Sequence, residues 1–95
     1  MPENKKRPVR FALGQTVMTR GALNELSQTD VLHGLSRHAG GDWGDVCTDD
    51  KQANDDALTC GARLLSAYHT TAGRKFWIIT EADRSATTVL LPEEY

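Results

Sequence analysis

Three runs rich in apolar, aromatic and β-branched residues, separated by polar turn segments, make up the C-terminal third of the chain, residues 62–92. Within it, residues 75–81 are aromatic and β-branched and contain no Gly or Pro, a composition typical of a half-buried strand. Phe76 and Ile78 fall on one face of this strand, and Trp77 falls on the other. Because both faces are apolar, we expect this strand to be central in a sheet.

Two further runs flank this central strand. Residues 63–69 precede it across a loop that contains Gly73, and residues 87–91 follow it across a polar turn. Glycine supplies the positive φ that hairpin loops of three to five residues need. Pro92 ends the last run, because proline has no N–H for a ladder. The pattern predicts three consecutive antiparallel strands.

The first two thirds of the chain follow a different pattern. Residues 11–19 are typical of a strand, with Gly14 at a bulge or close approach. Apolar residues then recur with helical spacing and predict three helices, at residues 21–26, 30–39 and 49–60. The helix caps that we expect are Thr19, Thr29 or Asp30, and Thr48.

This order of elements predicts an α+β fold: strand, helix, helix, helix, then a three-stranded antiparallel meander. We expect a four-stranded antiparallel sheet with the helices packed on one sheet face. The pattern does not indicate where the first strand pairs. Asn54 lies close to the apolar stripe of the third helix, where it is either a buried tie to the preceding loop or an exposed amide.

Length and composition place the chain among ordinary globular domains. Its 95 residues, of which 39% are hydrophobic and 25% charged, predict one domain over residues 10–95. Residues 1–9 are polar, contain two prolines and predict a disordered basic arm. No apolar run approaches the ~20 residues of a membrane helix, and the N-terminus lacks the apolar stretch of a secretory signal. We therefore expect a cytoplasmic protein that does not enter a membrane.

The net charge of −2 conceals two oppositely charged segments. Residues 1–10 contain four basic residues and one acidic residue, a net charge of +3, whereas residues 42–56 contain six aspartates and one lysine, a net charge of −5. The acidic segment predicts a surface for a basic partner protein. Binding of nucleic acid through the arm is a weaker interpretation, because the chain as a whole is acidic.

Residues 40–45 surround Trp43 with three glycines and two aspartates. Glycines allow sharp turns, and aspartates hydrogen-bond the backbone of such turns. One interpretation is that Trp43 is a plug between the helices and the sheet. The other is a ligand loop in which Asp42 and Asp45 act in acid–base chemistry or as metal ligands. The segment lacks the ligand spacing of a calcium loop.

The predicted turn at residues 80–85 concentrates Glu81, Asp83 and Arg84. Arg84 either pins the turn by pairing with a carboxylate or contacts an anion such as phosphate. With Ser66, Tyr68 and His69 on the adjoining strand, these residues could form a ribonuclease-like site. The candidate surface or site residues are Asp42, Trp43, Asp45, Tyr68, Glu81, Asp83 and Arg84.

Recognised catalytic and metal motifs are absent from the sequence. It has no phosphate-binding glycine loop, zinc-protease motif or nucleophile elbow. His33 and His38 are five residues apart, so they do not share a helix face as a metal pair would. Cys47 and Cys60 match no metal spacing; they could form a disulfide, but for a cytoplasmic protein we expect two thiols. We therefore predict no catalytic residue, no metal and no cofactor.

Three segments, residues 11–26, 37–46 and 64–95, resemble a family of small uncharacterised bacterial proteins labelled plasmid-related. The most specific parts are GDWG, SAY and ITEADRSATTVLLP. This chain departs from the family at Arg20, where a proline is expected. The resemblance implies a gene carried on plasmids, genomic islands or other mobile elements, and it implies no activity.

These observations favour a small non-enzymatic interaction or accessory protein of unknown process, encoded on a mobile element. The alternatives are a toxin-like ribonuclease and a protein associated with nucleic acid. A free edge of the sheet could also pair with a second copy of the chain and form an oligomer.

Overall fold

A computed structural model describes residues 8–95, and the elements follow the predicted order. The arm predicted at residues 1–9 lies outside this range apart from residues 8 and 9, which are exposed and form no helix or strand. The elements are β1 Gln15–Met18, α1 Arg20–Glu25, α2 Gln28–Ala39, α3 Thr48–Cys60, β2 Leu64–His69, β3 Lys75–Thr80, β4 Ala86–Leu90 and a 3₁₀ turn Pro92–Glu94. The α+β class and the C-terminal meander are confirmed.

The sheet has the order β1-β4-β3-β2. Strands β2, β3 and β4 pair antiparallel, but β1 runs parallel to β4, so the prediction of an all-antiparallel sheet was wrong for this strand. Contacts beyond β4 support this direction. Glu94 accepts hydrogen bonds from the Thr19 hydroxyl and from Gly21 N, where α1 begins. The C-terminal ends of β1 and β4 are thereby held at one end of the sheet.

Strand β1 is also shorter than predicted. Gly14 has a φ of +66°, and a Cβ there would lie 2.4 Å from the backbone of Ser85, so the chain approaches the β3–β4 turn closely at this residue. Phe11 lies outside the strand and stacks on Trp43 with ring centroids 6.2 Å apart. Phe11, the first residue of the predicted strand, therefore packs on the Trp43 loop and not in the sheet.

The helices cover the sheet face that contains Phe76 and Ile78, which are buried. Helix α2 approaches this face at Gly34, where a Cβ would lie 2.9 Å from the Phe76 ring. The opposite face is partly covered by the C-terminal residue, since the Tyr95 ring lies 5.6 Å from the Trp77 ring. The main core cluster consists of Ala22, Leu26, Val31, Tyr68, Phe76, Ile78, Val89 and Leu91.

Two predicted helix caps were wrong. Helix α2 begins earlier than predicted because the Ser27 hydroxyl accepts a hydrogen bond from Asp30 N at 3.1 Å. Helix α3 begins at Thr48 itself, and the preceding Cys47 provides no side-chain cap. Asp49 and Asp50 lie in its first turn, where the positive end of the helix dipole stabilises negative charge.

Candidate functional site

The glycine-rich loop at residues 40–45 is fastened to the outer edge of β2. Gly44 forms an isolated parallel bridge with Ala67. Ala67 N donates to Trp43 O at 3.1 Å, and Asp45 N donates to Ala67 O at 2.7 Å. Gly44 has a φ of +75°, and a Cβ there would lie 2.1 Å from the Ala67 carbonyl oxygen. A side chain at this position has no room, so the loop requires glycine.

Asp42 maintains the shape of the loop. Its carboxylate accepts hydrogen bonds from Arg37 Nε at 2.8 Å and from Gly44 N at 3.2 Å. The hydrogen bond from Arg37 to Asp42 raises the pKa of the guanidinium above its ordinary value. The Tyr68 hydroxyl donates to the Asp42 carbonyl oxygen at 2.6 Å. Asp42 and Tyr68 therefore join the loop to α2 and β2.

Trp43 fills the space between α3 and the sheet. It is 4% exposed and packs with Ala57 and Leu64. Its Nε1 donates to Asp55 Oδ1 at 3.0 Å, which satisfies the one polar atom of the indole. The structure confirms the prediction that Trp43 is a plug.

Asp45 faces solvent, in contrast to Asp42. Its side chain is 68% exposed, and its Oδ2 lies 3.9 Å from His69 Nε2. His69 is itself exposed at the end of β2. An exposed pair at this distance interacts weakly and does not hold either group in place.

Asn54 is buried and forms a tie to β2 instead of to the Trp43 loop. Its Nδ2 donates to Leu65 O at 2.7 Å, and its Oδ1 accepts from Leu65 N at 3.1 Å. The side-chain amide thus pairs with Leu65 as a neighbouring strand would. The buried alternative for this residue is correct, and the partner is β2.

Arg84 closes the turn between β3 and β4 through backbone carbonyls. Its Nη1 donates to Ala62 O at 2.7 Å and to Glu81 O at 3.2 Å, and its Nη2 donates to Ala57 O at 2.9 Å. Ala57 lies in the last turn of α3, so the guanidinium supplies a donor to a helix end. Arg84 achieves this with a φ of +61°, which is rare for a residue other than glycine.

The carboxylates of the turn have other partners among the described residues. Glu81 Oε1 lies 3.4 Å from Arg63 Nε, and Asp83 accepts a hydrogen bond from Ser85 N at 3.0 Å. The hydrogen bonds from Ser85 lower the pKa of Asp83 below its ordinary value. Arg84 therefore pins the turn by donating to backbone carbonyl oxygens. The ion pair with Glu81 or Asp83 that its position in the sequence indicates is not formed among the described residues.

Replacing Arg84 with alanine is expected to lower the free energy of unfolding by about 2 kcal/mol, because backbone carbonyls lose a charged donor. Arg84→Gly removes the same donors but relieves the left-handed backbone, so we expect its loss to be smaller by about 1 kcal/mol. Urea unfolding followed by tryptophan fluorescence measures both losses. An alanine variant as stable as the wild type would show that the carbonyl contacts do not stabilise the fold.

The register of the sheet separates the candidate residues into two groups. Tyr68 lies opposite Phe76, whereas Leu64 lies opposite Thr80, where the β3–β4 turn begins. Leu64 and Tyr68 are four residue steps apart along β2, a distance of about 13 Å. The structure does not bring together the set considered for a ribonuclease-like site: Tyr68, His69, Glu81 and Arg84.

A chain of buried polar side chains, which the sequence pattern did not reveal, crosses the core. His38 is 0% exposed, with Nδ1 2.6 Å from Ser66 Oγ and Nε2 2.9 Å from Thr80 Oγ1. Thr80 Oγ1 lies 2.7 Å from Thr87 Oγ1, which donates to Leu13 O at 2.6 Å. These buried hydrogen bonds connect α2 with three of the four strands and with the segment that precedes β1.

This series of hydrogen bonds ends at the Leu13 carbonyl oxygen, which determines the direction of each bond. A carbonyl oxygen only accepts, so the Thr87 hydroxyl donates its proton to Leu13 O. The Thr87 oxygen then accepts from the Thr80 hydroxyl. The Thr80 oxygen in turn accepts from the Nε2–H of His38. His38 Nδ1 is then unprotonated and accepts from the Ser66 hydroxyl. Burial, together with the nearby positive charge of Arg84, lowers the pKa of His38 to about 3. The imidazole is therefore neutral at physiological pH.

Ser66 and His38 have the separation of a serine nucleophile and its base, but neither side chain is accessible to a substrate. Both residues are 0% exposed. We therefore assign the pair to the core. The sequence contained one signal for this position: His38 follows Val31 by seven residues and Leu35 by three, which places it on the apolar stripe of α2.

Metal binding and disulfide formation have no structural basis in the described part of the chain. Within residues 8–95, no group of three His, Cys, Asp or Glu side chains could hold a metal ion. Cys47 and Cys60 are free thiols at opposite ends of α3, about 20 Å apart along the helix. A disulfide requires Cα atoms within about 7 Å of each other.

None of the helices described for residues 8–95 has the length and apolar character needed to cross a membrane. Comparison of the chain with protein-family models, with curated proteins and with solved structures gave no significant match. The resemblance to the plasmid-related family therefore stays a prediction.

Proposed function

We propose that this chain is a small non-enzymatic interaction protein that binds a basic partner protein through the outer face of α3. The one-sided packing of this helix supports the proposal most. Asn54 and Ala57 are buried, Leu58 is half-buried, and the other ten residues of the helix are exposed. A helix with so narrow a packed side presents most of its surface to solvent or to a partner.

The exposed surface of α3 is acidic. It contains four aspartates and one lysine, and the exposed Asp45 lies immediately before it. The structure shows Asp42 paired with Arg37 and Asp55 bound to the Trp43 indole, which narrows the predicted 42–56 surface. The acidic face consists of the exposed Asp45, Asp49 and Asp56, of which Asp49 and Asp56 are seven residues apart and share one side of α3.

The absence of an assembled reaction centre among the described residues also supports a non-enzymatic role. The Tyr68 hydroxyl and the Arg84 guanidinium are engaged with backbone carbonyls, and the Ser66–His38 pair is enclosed in the core. Each of these four groups therefore contributes to holding the fold together.

The proposed setting is an accessory gene on mobile DNA and a protein that works in the cytoplasm. The family resemblance motivates the first part, and the free thiols Cys47 and Cys60 are compatible with a reducing compartment. Genes for plasmid transfer or integration beside the coding sequence would support the setting. A location within a chromosomal metabolic operon would overturn it.

The acidic face is tested with a triple variant, Asp45→Asn, Asp49→Asn and Asp56→Asn. The probe is a library of fluorescent lysine- and arginine-rich peptides, and the measurement is fluorescence anisotropy at low and physiological salt. We expect the variant to bind the selected peptides about 10-fold more weakly than the wild type, because complementary charge is removed at the contact.

A second triple variant, Asp30→Asn, Glu81→Gln and Asp83→Asn, changes the net charge by the same amount away from the acidic face. We expect it to retain affinity within about 3-fold, since charges outside the contact are screened by salt. If both variants lose the same affinity, attraction follows net charge alone and the proposed surface is wrong.

A further inference from the structure

The two edges of the sheet differ in how far they are covered. At the β2 edge, Asn54 pairs with both backbone groups of Leu65. Ala67 donates to Trp43 O and accepts from Asp45 N at the same edge. The outward N–H and C=O groups of these two β2 residues are therefore satisfied within the chain.

The β1 edge has no such cover among the described residues. Gln15 N donates to Ser85 O and Thr19 N donates to Val89 O, so the odd-numbered residues turn their backbone groups toward β4. The N–H and C=O groups of Thr16 and Met18 consequently point away from the sheet. Strand β1 contains no charged residue and no proline, the devices that protect natural sheet edges.

An apolar groove of about 520 Å³ lies directly beside this open edge, between β1, α1 and α2. Two leucines on its rim are unusually exposed, Leu23 at 64% and Leu32 at 57%. On the other sheet face, Val17 is 38% exposed. None of the lining residues is charged: Thr16, Met18, Leu23, Leu26, Gln28, Val31, Leu32 and Leu35.

We propose that a second copy of this chain docks on the β1 edge, so that two sheets join into one of eight strands. The edge is complementary to itself in antiparallel orientation. With Val17 on the two-fold axis, Thr16 of one copy lies opposite Met18 of the other, and the outward N–H and C=O groups of both residues form four hydrogen bonds. The two-fold axis keeps both helix layers on the same side of the sheet. The exposed Leu23 and Leu32 of each copy then pack across the axis.

The charge distribution favours a second copy of the chain over a charged partner at the β1 edge. The β1 groove is uncharged, and α3 with its aspartates packs against β2 at the far edge of the sheet. Two copies of this acidic chain therefore approach each other with their negative surfaces as far apart as the sheet allows. The dimer uses a surface different from the acidic face of α3, so it is independent of the function proposed above.

The expected contact is small. Its length is that of α2, about 18 Å, and its height is that of one sheet layer and one helix layer, about 20 Å. These dimensions give about 360 Å² per copy and about 720 Å² in total, which is below the size of standard specific interfaces. We therefore expect a weak dimer that forms only at high protein concentration.

Sedimentation velocity of the full chain over a wide concentration range tests the dimer. We expect the mass to rise from 10.5 kDa to twice that value with increasing concentration. Amide hydrogen exchange of Thr16 and Met18 should slow over the same range, because their N–H groups become bonded only in the dimer. A wild-type chain that remains monomeric at all concentrations would overturn the inference, and the proposed function of α3 would be unaffected.

The matched variants are Val17→Lys at the edge and Val9→Lys away from it, at a valine that is 73% exposed. Both introduce the same charge, and circular dichroism verifies that each is folded. We expect Val17→Lys to weaken dimerisation at least 10-fold and Val9→Lys to leave it unchanged. Leu32→Lys, on the exposed side of α2, provides a second disruptive variant if Val17→Lys fails to fold. Dimerisation that survives Val17→Lys or Leu32→Lys in a folded chain would contradict the assignment.

Discussion

Replacing Gly44 with alanine is expected to lower the free energy of unfolding by about 4 kcal/mol. The added Cβ would lie 2.1 Å from Ala67 O and 2.7 Å from the Tyr68 ring. Alanine also disfavours the φ of +75° at this position. The loop would have to leave the β2 edge, which breaks the bridge to Ala67 and removes support from Trp43. Urea unfolding monitored by tryptophan fluorescence measures the loss.

Gly61→Ala is the matched control for this experiment. Gly61 has nearly the same φ, +78°, but a Cβ there meets no atom within 4 Å. Its substitution by alanine therefore isolates the backbone cost, which we expect to be about 1–2 kcal/mol. Similar losses at Gly44 and Gly61 would show that the close contact with β2 is not what makes Gly44 necessary.

Lowering the pH from 7 to 4 is expected to reduce stability by about 3 kcal/mol through His38 alone. The folded pKa of His38 is about 3, below its ordinary value of 6.5. Between these two values the unfolded chain binds more protons than the folded chain, so the stabilisation present above pH 6.5 is lost as the pH falls. The loss approaches about 1.4 kcal/mol per pH unit in this window. Urea unfolding at a series of pH values measures it.

His38→Gln separates this effect from the protonation of carboxylates, such as Asp83 and Glu93, whose pKa values are lowered by hydrogen bonds. Glutamine does not titrate, whereas the carboxylates respond to acid in both proteins. We expect the variant to be less stable than the wild type at pH 7 and to have a shallower decline between pH 6.5 and 4.5. The same slope in both proteins would show that His38 is not kept neutral by burial.

Local patterns were sufficient to predict the elements and the plug. The aromatic and β-branched run over residues 75–81 indicated an inner strand of the sheet, and the glycines around Trp43 indicated a loop built to deliver that ring. In both cases the determining contacts reflect the spacing of apolar residues and turn residues within one segment. Such information lies in neighbouring positions and can be read from one sequence.

The parallel pairing of β1 could not be predicted in the same way. It is made by backbone hydrogen bonds between β1 and β4 and is supported by the contacts of Glu94 with Thr19 and Gly21, all of them between residues far apart in the chain. The early end of the strand at Gly14 likewise reflects its approach to Ser85. No local period reports contacts of this kind.

The roles of individual polar side chains could not be predicted from the sequence either. Arg84 has Glu81 and Asp83 as sequence neighbours, yet its donors reach carbonyls at the end of α3. His38, Ser66 and Thr80 are unremarkable as single residues, and only the register of α2 on the sheet joins them. Side-chain hydrogen bonds between distant elements follow from the assembled fold.

The pairing of β1 with β4 has a consequence for synthesis of the chain on the ribosome. Gln15 lies opposite Ala86, so three helices and two strands must be translated before β1 has its partner. The β2–β3–β4 meander joins strands that are neighbours in sequence and can form as successive hairpins. Of the four strands, β1 is translated first, and it can pair only once β4 has been made. Until then, the nascent chain contains an unpaired strand that is open to chaperones and to neighbouring nascent chains.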